Sequence, residues 1–392
     1  MDISDINTPV KEELINSISR ATIKKVETTI VELPTIRPHK LSMAVMNIQT
    51  MVIIRLFCSD DIEGIGETTT IGGMSYGPES PEGMKLTIDQ YITPLIIGRD
   101  ATNIGAIMHL INQYVKGNTF AKNSIETALL DAQGKRLNLP VSTLLGGAVR
   151  EELPVLWVLA SGDTEKDIEE GKRLVSENRH NTFKLKIGRN HPQVDVDHVS
   201  QIKQALGSDI KVTVDVNQAW NESVAKTYIQ QLQDNGIDLI EQPIAQDNWN
   251  GLARLTEFFH VPIMADEAVG TVRDAFRLAS IRGGSVFALK IAKAGGLINT
   301  QKIAGIADGA DIALYGGTML EGTIGTAASA HVFKTVNNLS WGTELFGPLL
   351  LVDDIVKTPI TYANNCMKLP EGPGLGIELD MNQVNKYQRK KI

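Results

Sequence analysis

The residues most able to do chemistry are two lysines in one short apolar run, Phe183-Lys184-Leu185-Lys186-Ile187, and three carboxylates that follow at regular intervals. In an extended strand successive side chains point to opposite faces, so Phe183, Leu185 and Ile187 share one face and both ammonium groups the other. An ammonium group away from bulk water loses its proton or needs carboxylates or an anionic ligand beside it. The pair therefore implies a polar centre completed by other segments.

Asp215 closes Val212-Thr213-Val214-Asp215, Glu241 closes Leu239-Ile240-Glu241, and Asp266 follows Pro262-Ile263-Met264-Ala265. The intervals are 26 and 25 residues, one strand-plus-helix unit each, which puts the three at one level on adjacent strands. Converging carboxylates do not all stay ionised without a cation, and hard oxygen ligands suit Mn²⁺ or Mg²⁺. Any one of them alone reads equally well as a helix cap or salt-bridge partner; three in consecutive units favour a divalent metal site. Lys290 ends the next run, 24 residues on, and in a closed barrel it faces Lys186 across the mouth. A lone lysine there could form a Schiff base, but a second lysine and the carboxylates favour metal chemistry. Glu321 and Glu344 end the last two units, and each could orient a lysine, accept a proton or anchor a loop. Ser161, beyond the first run, and Asn217, beyond Asp215, are candidate substrate contacts, with a turn role the alternative for Ser161. His191, His198 and His260 have no ligand spacing and read as surface residues; His331 has no assignable role.

Elements must hold these groups in place. From Leu153 onward short apolar runs alternate with amphipathic helical stretches: Val155 to Ala160, Phe183 to Ile187, Lys211 to Val216, Asp238 to Glu241, Pro262 to Ala265, Val286 to Lys290, Ile312 to Tyr315 and Leu339 to Gly342. Eight such units predict an α/β fold, a (β/α)8 TIM-like barrel whose C-terminal mouth carries the site. An open doubly wound sheet is disfavoured because the first turn lacks a G-x-G-x-x-G fingerprint. Before the barrel, Ile23 to Leu33, Gln49 to Cys58 and Ile62 to Thr68 read as an antiparallel meander. Pro34 to Lys40 reads as an irregular, basic loop because of its two prolines. Helical periodicity follows over Ser80 to Leu95, Ile104 to Val115 and Phe120 to Leu137, the last with Ile125, Ala128, Leu129 and Ala132 on one face. The expected division is an extension over 1–22, an α+β capping domain over 23–150, the barrel over 151–349, and a segment over 350–392 returning to the capping domain.

A net charge of −8 argues against nucleic acid or an anionic membrane surface as partner, so an anionic ligand must be attracted locally. No apolar run approaches a membrane span, and Met1 to Arg20 is acidic rather than signal-like. Cys58 and Cys366 offer neither zinc spacing nor a disulfide framework, and a cytoplasmic protein is the expectation.

With these residues in order, the chain resembles the enolase superfamily and, within it, the muconate-lactonizing subgroup. The resemblance runs from Ile23 to Ile377. It rests on the K-x-K strand, on Asp215, Glu241, Asp266 and Lys290, and on PTIRPHK (34–40), TIGGMSYGPESP (70–81), ALKIAKAGG (288–296), YGGTMLEG (315–322) and GTELFGPLLL (342–351). It implies an isomerase of aromatic, catechol-derived catabolism that interconverts cis,cis-muconate and muconolactone through an enolate. Asp215, Glu241 and Asp266 would hold Mn²⁺, Lys186 would be the acid/base with a lowered pKa, Lys184 would support it, and Lys290 would face it. Ile71 and Tyr76 would contact substrate from a capping loop, and Glu344 and Phe346 would line the pocket. The partners implied are a small dicarboxylate and copies of the same chain, an octamer in the family. Chlorinated muconates use the same residues, and the two-lysine site also serves dipeptide or N-acylamino-acid epimerisation and o-succinylbenzoate synthesis. A barrel kept only for binding would have no reason to retain buried like charges.

Overall fold

The computed structural model describes residues 21–40 and 45–390; the expected extension over 1–22 lies almost wholly outside the described residues. β1 (Ile23–Lys40), β2 (Val45–Cys58) and β3 (Glu63–Thr69) form the antiparallel meander. β1 runs on through Pro34–Lys40, where the prolines had pointed to an irregular loop. The strand survives because its pairing with β2 jumps from Pro34 opposite Ile48 to His39 opposite Met46. Pro38 thus sits in a bulged turn where no ladder N–H is needed.

The helix Thr119–Leu137 lies across β3. Gly64 and Gly66 permit this approach, since a Cβ on either would sit on the carbonyl oxygen of Ala128 or Ser124. The apolar stripe Ile125, Ala128, Leu129 and Ala132 is buried as its spacing requires, yet Lys122, Asn123, Glu126 and Asp131 are buried too. Glu126 meets the barrel, Asp131 meets β3 and the returning chain through the Ile65 and Leu375 N–H groups, and Lys122 donates to the Val115 carbonyl.

After β4 (Leu153–Pro154) come seven parallel strands, each hydrogen-bonded to the next: β5 (Trp157–Leu159), β6 (Thr182–Lys186), β7 (Lys211–Asp215), β8 (Leu239–Glu241), β9 (Ile263–Ala265), β10 (Val286–Leu289) and β11 (Ala313–Gly316). Helices separate them, several started by side-chain caps such as Asp163, Asn221, Asn248 and Thr271. The eighth strand expected over Leu339 to Gly342 does not form. Gly342 turns the backbone at φ 65°, and closure falls to Thr343, which bridges Val155 on one side and Gly316 on the other.

The C-terminal segment first forms a hairpin of β12 (Thr361–Ala363) and β13 (Cys366–Lys368) against β4. Its turn residues, Asn364 and Asn365, both have positive φ, as a two-residue hairpin turn requires. The chain then reaches the first layer, where the Leu375 N–H donates to Asp131 Oδ1 at 2.8 Å and the Arg389 N–H to the Ile30 carbonyl at 2.9 Å.

Two buried acids join cap to barrel. Glu67 of β3 accepts from the N–H groups of Gly322 (2.6 Å) and Gly325 (2.9 Å) at the start of the helix Thr323–Phe333. Glu126 accepts from the Ile298 N–H at 3.1 Å at the start of Leu297–Gly309. Each satisfies helix N–H groups that have no partner within the helix. Both cysteines are free thiols, and no helix among the described residues is long and apolar enough to cross a membrane.

Candidate active site

Strand register alone brings the first residues together. Lys186 of β6 pairs with Asp215 of β7, and Asp215 with Glu241 of β8, so three neighbouring strands end at one level. Asp266 stands one residue beyond β9 and Lys290 one beyond β10, where Lys290 caps the short helix Ile291–Ala294. Phe183 and Leu185 are buried on the opposite face of β6 from the lysines.

Every carboxylate of this cluster meets an amine or amide. Lys184, fully buried, has its Nζ 2.6 Å from Glu241 Oε2 and 2.9 Å from Glu344 Oε2, and lies 4.6 Å from the centre of the Tyr315 ring. Lys186 pairs with Asp215 Oδ2. Lys290 donates to Asp266 Oδ2 and to the Tyr76 hydroxyl, both at 2.7 Å. Lys293 takes the other oxygen of Asp266 at 2.6 Å. Asn217 donates to Glu267 Oε1 at 3.1 Å, while Glu267 Oε2 is buried with no hydrogen-bond partner among the described residues.

These contacts decide the protonation states. Burial works against the charge on Lys184, Lys186 and Lys290, but the carboxylates beside them prevail and hold all three ammonium groups above the usual lysine range. For Lys186 the protein's own groups act opposite to the lowering expected beside a metal, since Asp215 and Glu344 outweigh burial and the repulsion of Lys184. Burial also opposes the charge on Glu344 and Asp266, and there the lysines prevail and keep both carboxylates ionised. Glu241 is pushed well up by burial and by Asp215, with Asp266 adding to it. Glu267 is pushed up to about 7 by burial and by Asp266.

Above this cluster lies a narrow pocket lined by Lys186, Lys290, Glu344, Asn217, Ile71 and Tyr76, with His39, Thr318 and Leu320 completing the wall. His39 is buried, its Nδ1 has no hydrogen-bond partner among the described residues, and burial, Lys186 and Arg37 push its pKa down to about 4. It is a neutral polar group facing two cationic amines. Such a pocket suits a small anion with an apolar middle.

A family model described as "Mandelate racemase / muconate lactonizing enzyme, N-terminal domain" matches residues 25–146, and one described as "Enolase C-terminal domain-like" matches residues 166–384. Muconate cycloisomerase 1 of Acinetobacter baylyi is 55% identical over 367 residues, which are 93% of this chain and 99% of that protein. The chain belongs to the muconate cycloisomerase family, in the enolase superfamily. A crystal structure of muconate lactonizing enzyme from Pseudomonas fluorescens complexed with muconolactone matches the fold with a TM-score of 0.93 at 56% identity, covering 94% of this chain and 100% of that one. A chloromuconate cycloisomerase of Cupriavidus necator is more distant, at 41% identity over 94% of this chain and 99% of that protein.

Within this muconate cycloisomerase fold the candidates from sequence divide into groups. Lys186, Lys290, Glu344, Asn217, Ile71 and Tyr76 line one pocket. Lys184 and Phe346 lie behind its wall, Lys184 through Glu344 and Phe346 through the His39 ring at 6.2 Å. Asp215, Glu241 and Asp266 lie below it, and among the described residues no three acidic, histidine or cysteine side chains stand close enough to hold an ion together. Glu321 turns away: its Oε2 accepts from Thr318 Oγ1 and the Met319 N–H, fixing its own loop. Ser161 likewise serves a turn, its hydroxyl donating to the Asp163 carbonyl at 3.1 Å and its N–H to Asp167. Sequence reasoning missed His39, Lys293, Thr318 and Leu320 as site residues. Lys293 carries a signal, three residues after Lys290 and hence on the same side of a helical turn. His39 carries none beyond its place in a basic segment.

Proposed function

We propose that this chain catalyses the interconversion of cis,cis-muconate and muconolactone. The observation that carries this reading is one pocket with Lys186 and Lys290 in its wall, Glu344 beside them and Ile71 and Tyr76 above, in a chain 55% identical to a muconate cycloisomerase over nearly its full length. The lower identity to a chloromuconate cycloisomerase favours the unchlorinated substrate.

The chemistry follows from charge. Lactonisation of a dianion to a monoanion takes up one proton, delivered to the carbon α to the carboxylate on which enolate charge gathers. Lys186, in the pocket wall as an ammonium, is the donor; in the reverse direction its neutral amine removes that proton. Lys290, fixed by Asp266 and Tyr76, presents a second cation to the substrate. Lys184, clamped between Glu241 and Glu344, positions Glu344 at the wall.

Asp215, Glu241 and Asp266 carry the hard oxygen donors a divalent cation takes, and in the structure their side chains are turned to Lys184, Lys186, Lys290 and Lys293. The unpartnered Oε2 of Glu267 and the raised pKa of Glu241 mark spare acceptor capacity. We assign Mn²⁺ or Mg²⁺ to Asp215, Glu241 and Asp266; when bound, it would stabilise the negative charge of the enolate. We place the enzyme in the cytoplasm as a homo-oligomer, consistent with its free thiols.

The deciding experiment follows the ultraviolet absorbance of the conjugated diene with cis,cis-muconate and chloromuconates, and optical rotation with N-acylamino acids, each with Mn²⁺ added. Loss of the diene signal from muconate is expected. Turnover of N-acylamino acids without turnover of muconate would replace this reading by epimerisation.

A further inference from the structure

The bulged turn of β1 has few backbone bonds of its own. Pairing with β2 skips from Pro34 to His39, and between them Thr35 bridges Leu351. Side chains must therefore hold the turn to the barrel, and Arg37 reaches across. Its Nη1 donates to Glu170 Oε2 at 2.9 Å and its Nη2 to the Val158 carbonyl at 3.1 Å. Glu170 lies on the helix Thr164–Ser176 and does not line the pocket. Its second oxygen, Oε1, accepts from the Trp157 indole N–H at 3.0 Å. The Trp157 ring packs edge-on against Phe346 at 5.2 Å, and the His39 ring lies 6.2 Å from Phe346. The Arg37 and Glu170 side chains are only 25% and 19% exposed, so solvent screens their pairing weakly. A chain of direct contacts thus runs from the turn to the pocket wall.

We propose that Arg37 and Glu170 form a latch that fixes the capping turn, and with it His39 and Phe346, against the pocket, so that the pair sets how tightly the dicarboxylate is held. This rests on the cycloisomerase reading. Both are positioning residues, since neither touches the reacting atoms.

The test uses Arg37→Met, Glu170→Gln and the double variant of the full chain. Each single change is expected to raise KM for cis,cis-muconate about tenfold and leave kcat within about twofold, with the double variant no worse than either single one. Arg37→Lys, which keeps the charge but not the two-pronged contact, is expected to fall between Arg37→Met and the parent. A readout without substrate is amide hydrogen exchange at Thr35, Ile36 and Arg37, expected to speed up about tenfold in Arg37→Met while exchange in β7 and β8 stays unchanged. The latch requires both KM and exchange to move; either one unmoved, or kcat falling while KM stays constant, overturns it. If the parent protein does not turn over muconate, the cycloisomerase reading fails, and exchange in the ligand-free protein still decides the latch.

Discussion

Replacing Glu67 by glutamine should reverse sign with pH. Burial pushes the Glu67 carboxyl up to about 8, against 4.5 for an ordinary glutamate; Glu321 and Asp354 add to this, while the N–H groups of Gly322 and Gly325 oppose it. The folded state therefore binds a proton between pH 4.5 and 8 that the unfolded state has released. Its stabilising contribution is fully present below 4.5 and is lost as pH rises through 8. At about 1.4 kcal/mol per pH unit, this one group removes about 4 kcal/mol from the stability of the parent protein between pH 5 and 8.5. Glutamine cannot ionise, and its NH₂ must face one of the two backbone donors, at a cost of about 1–2 kcal/mol. Glu67→Gln is thus expected to be less stable than the parent at pH 5 and more stable at pH 8.5, the difference changing by about 4 kcal/mol. Urea unfolding of both proteins at pH 5, 7 and 8.5, followed by far-ultraviolet circular dichroism, measures it. Other titrating groups are common to both chains and cancel. A difference that stays constant across the three pH values would refute the argument that Glu67 is protonated in the fold.

Further outcomes can be checked directly. Lys186→Ala is expected to lose turnover by roughly 10³-fold while Mn²⁺ binding measured by calorimetry is kept; turnover within tenfold of the parent would remove Lys186 from the acid/base role. Lys184→Met strands Glu241 and Glu344 without their shared cation and should cost about 3–5 kcal/mol in urea unfolding. Dialysis against a chelator should abolish muconate turnover, and added Mn²⁺ should restore it. Gly66→Ala, which drives a methyl group onto the Ser124 carbonyl, should lower stability by about 1–3 kcal/mol, read as a fall in melting temperature.

What could be read from sequence was whatever a short period or an unusual end residue reveals. Strands β6 to β10 are short apolar runs ending in a charge or followed at once by one, so Asp215, Glu241 and Asp266 could be placed at one level before any pairing was known; the register agrees for Asp215 and Glu241, but Glu241 pairs with Met264, two residues short of Asp266. The last unit was misread because Leu339 to Gly342 has the composition of a strand, while closure needs only the single bridging residue that follows it. The turn at Pro34–Lys40 was misread because local proline chemistry ignores a register shift imposed by β2. His39 and Lys186 meet only through the docking of one layer on the other, which no window of sequence contains. Lys186 shows the same limit: its neighbour in sequence is another lysine, but its neighbours in space are Asp215 and Glu344.

The acids that plug the barrel helices bear on recombination. Glu67 and Glu126 supply hydrogen bonds that the helices Thr323–Phe333 and Leu297–Gly309 do not make for themselves, and Asp131 ties the returning chain to the cap. A cap grafted from a relative to alter substrate preference is thus no free cassette. Its donor must bring a carboxyl to each of these three places, or two barrel helices are left with bare ends inside the seam and the returning chain loses its tie to the cap.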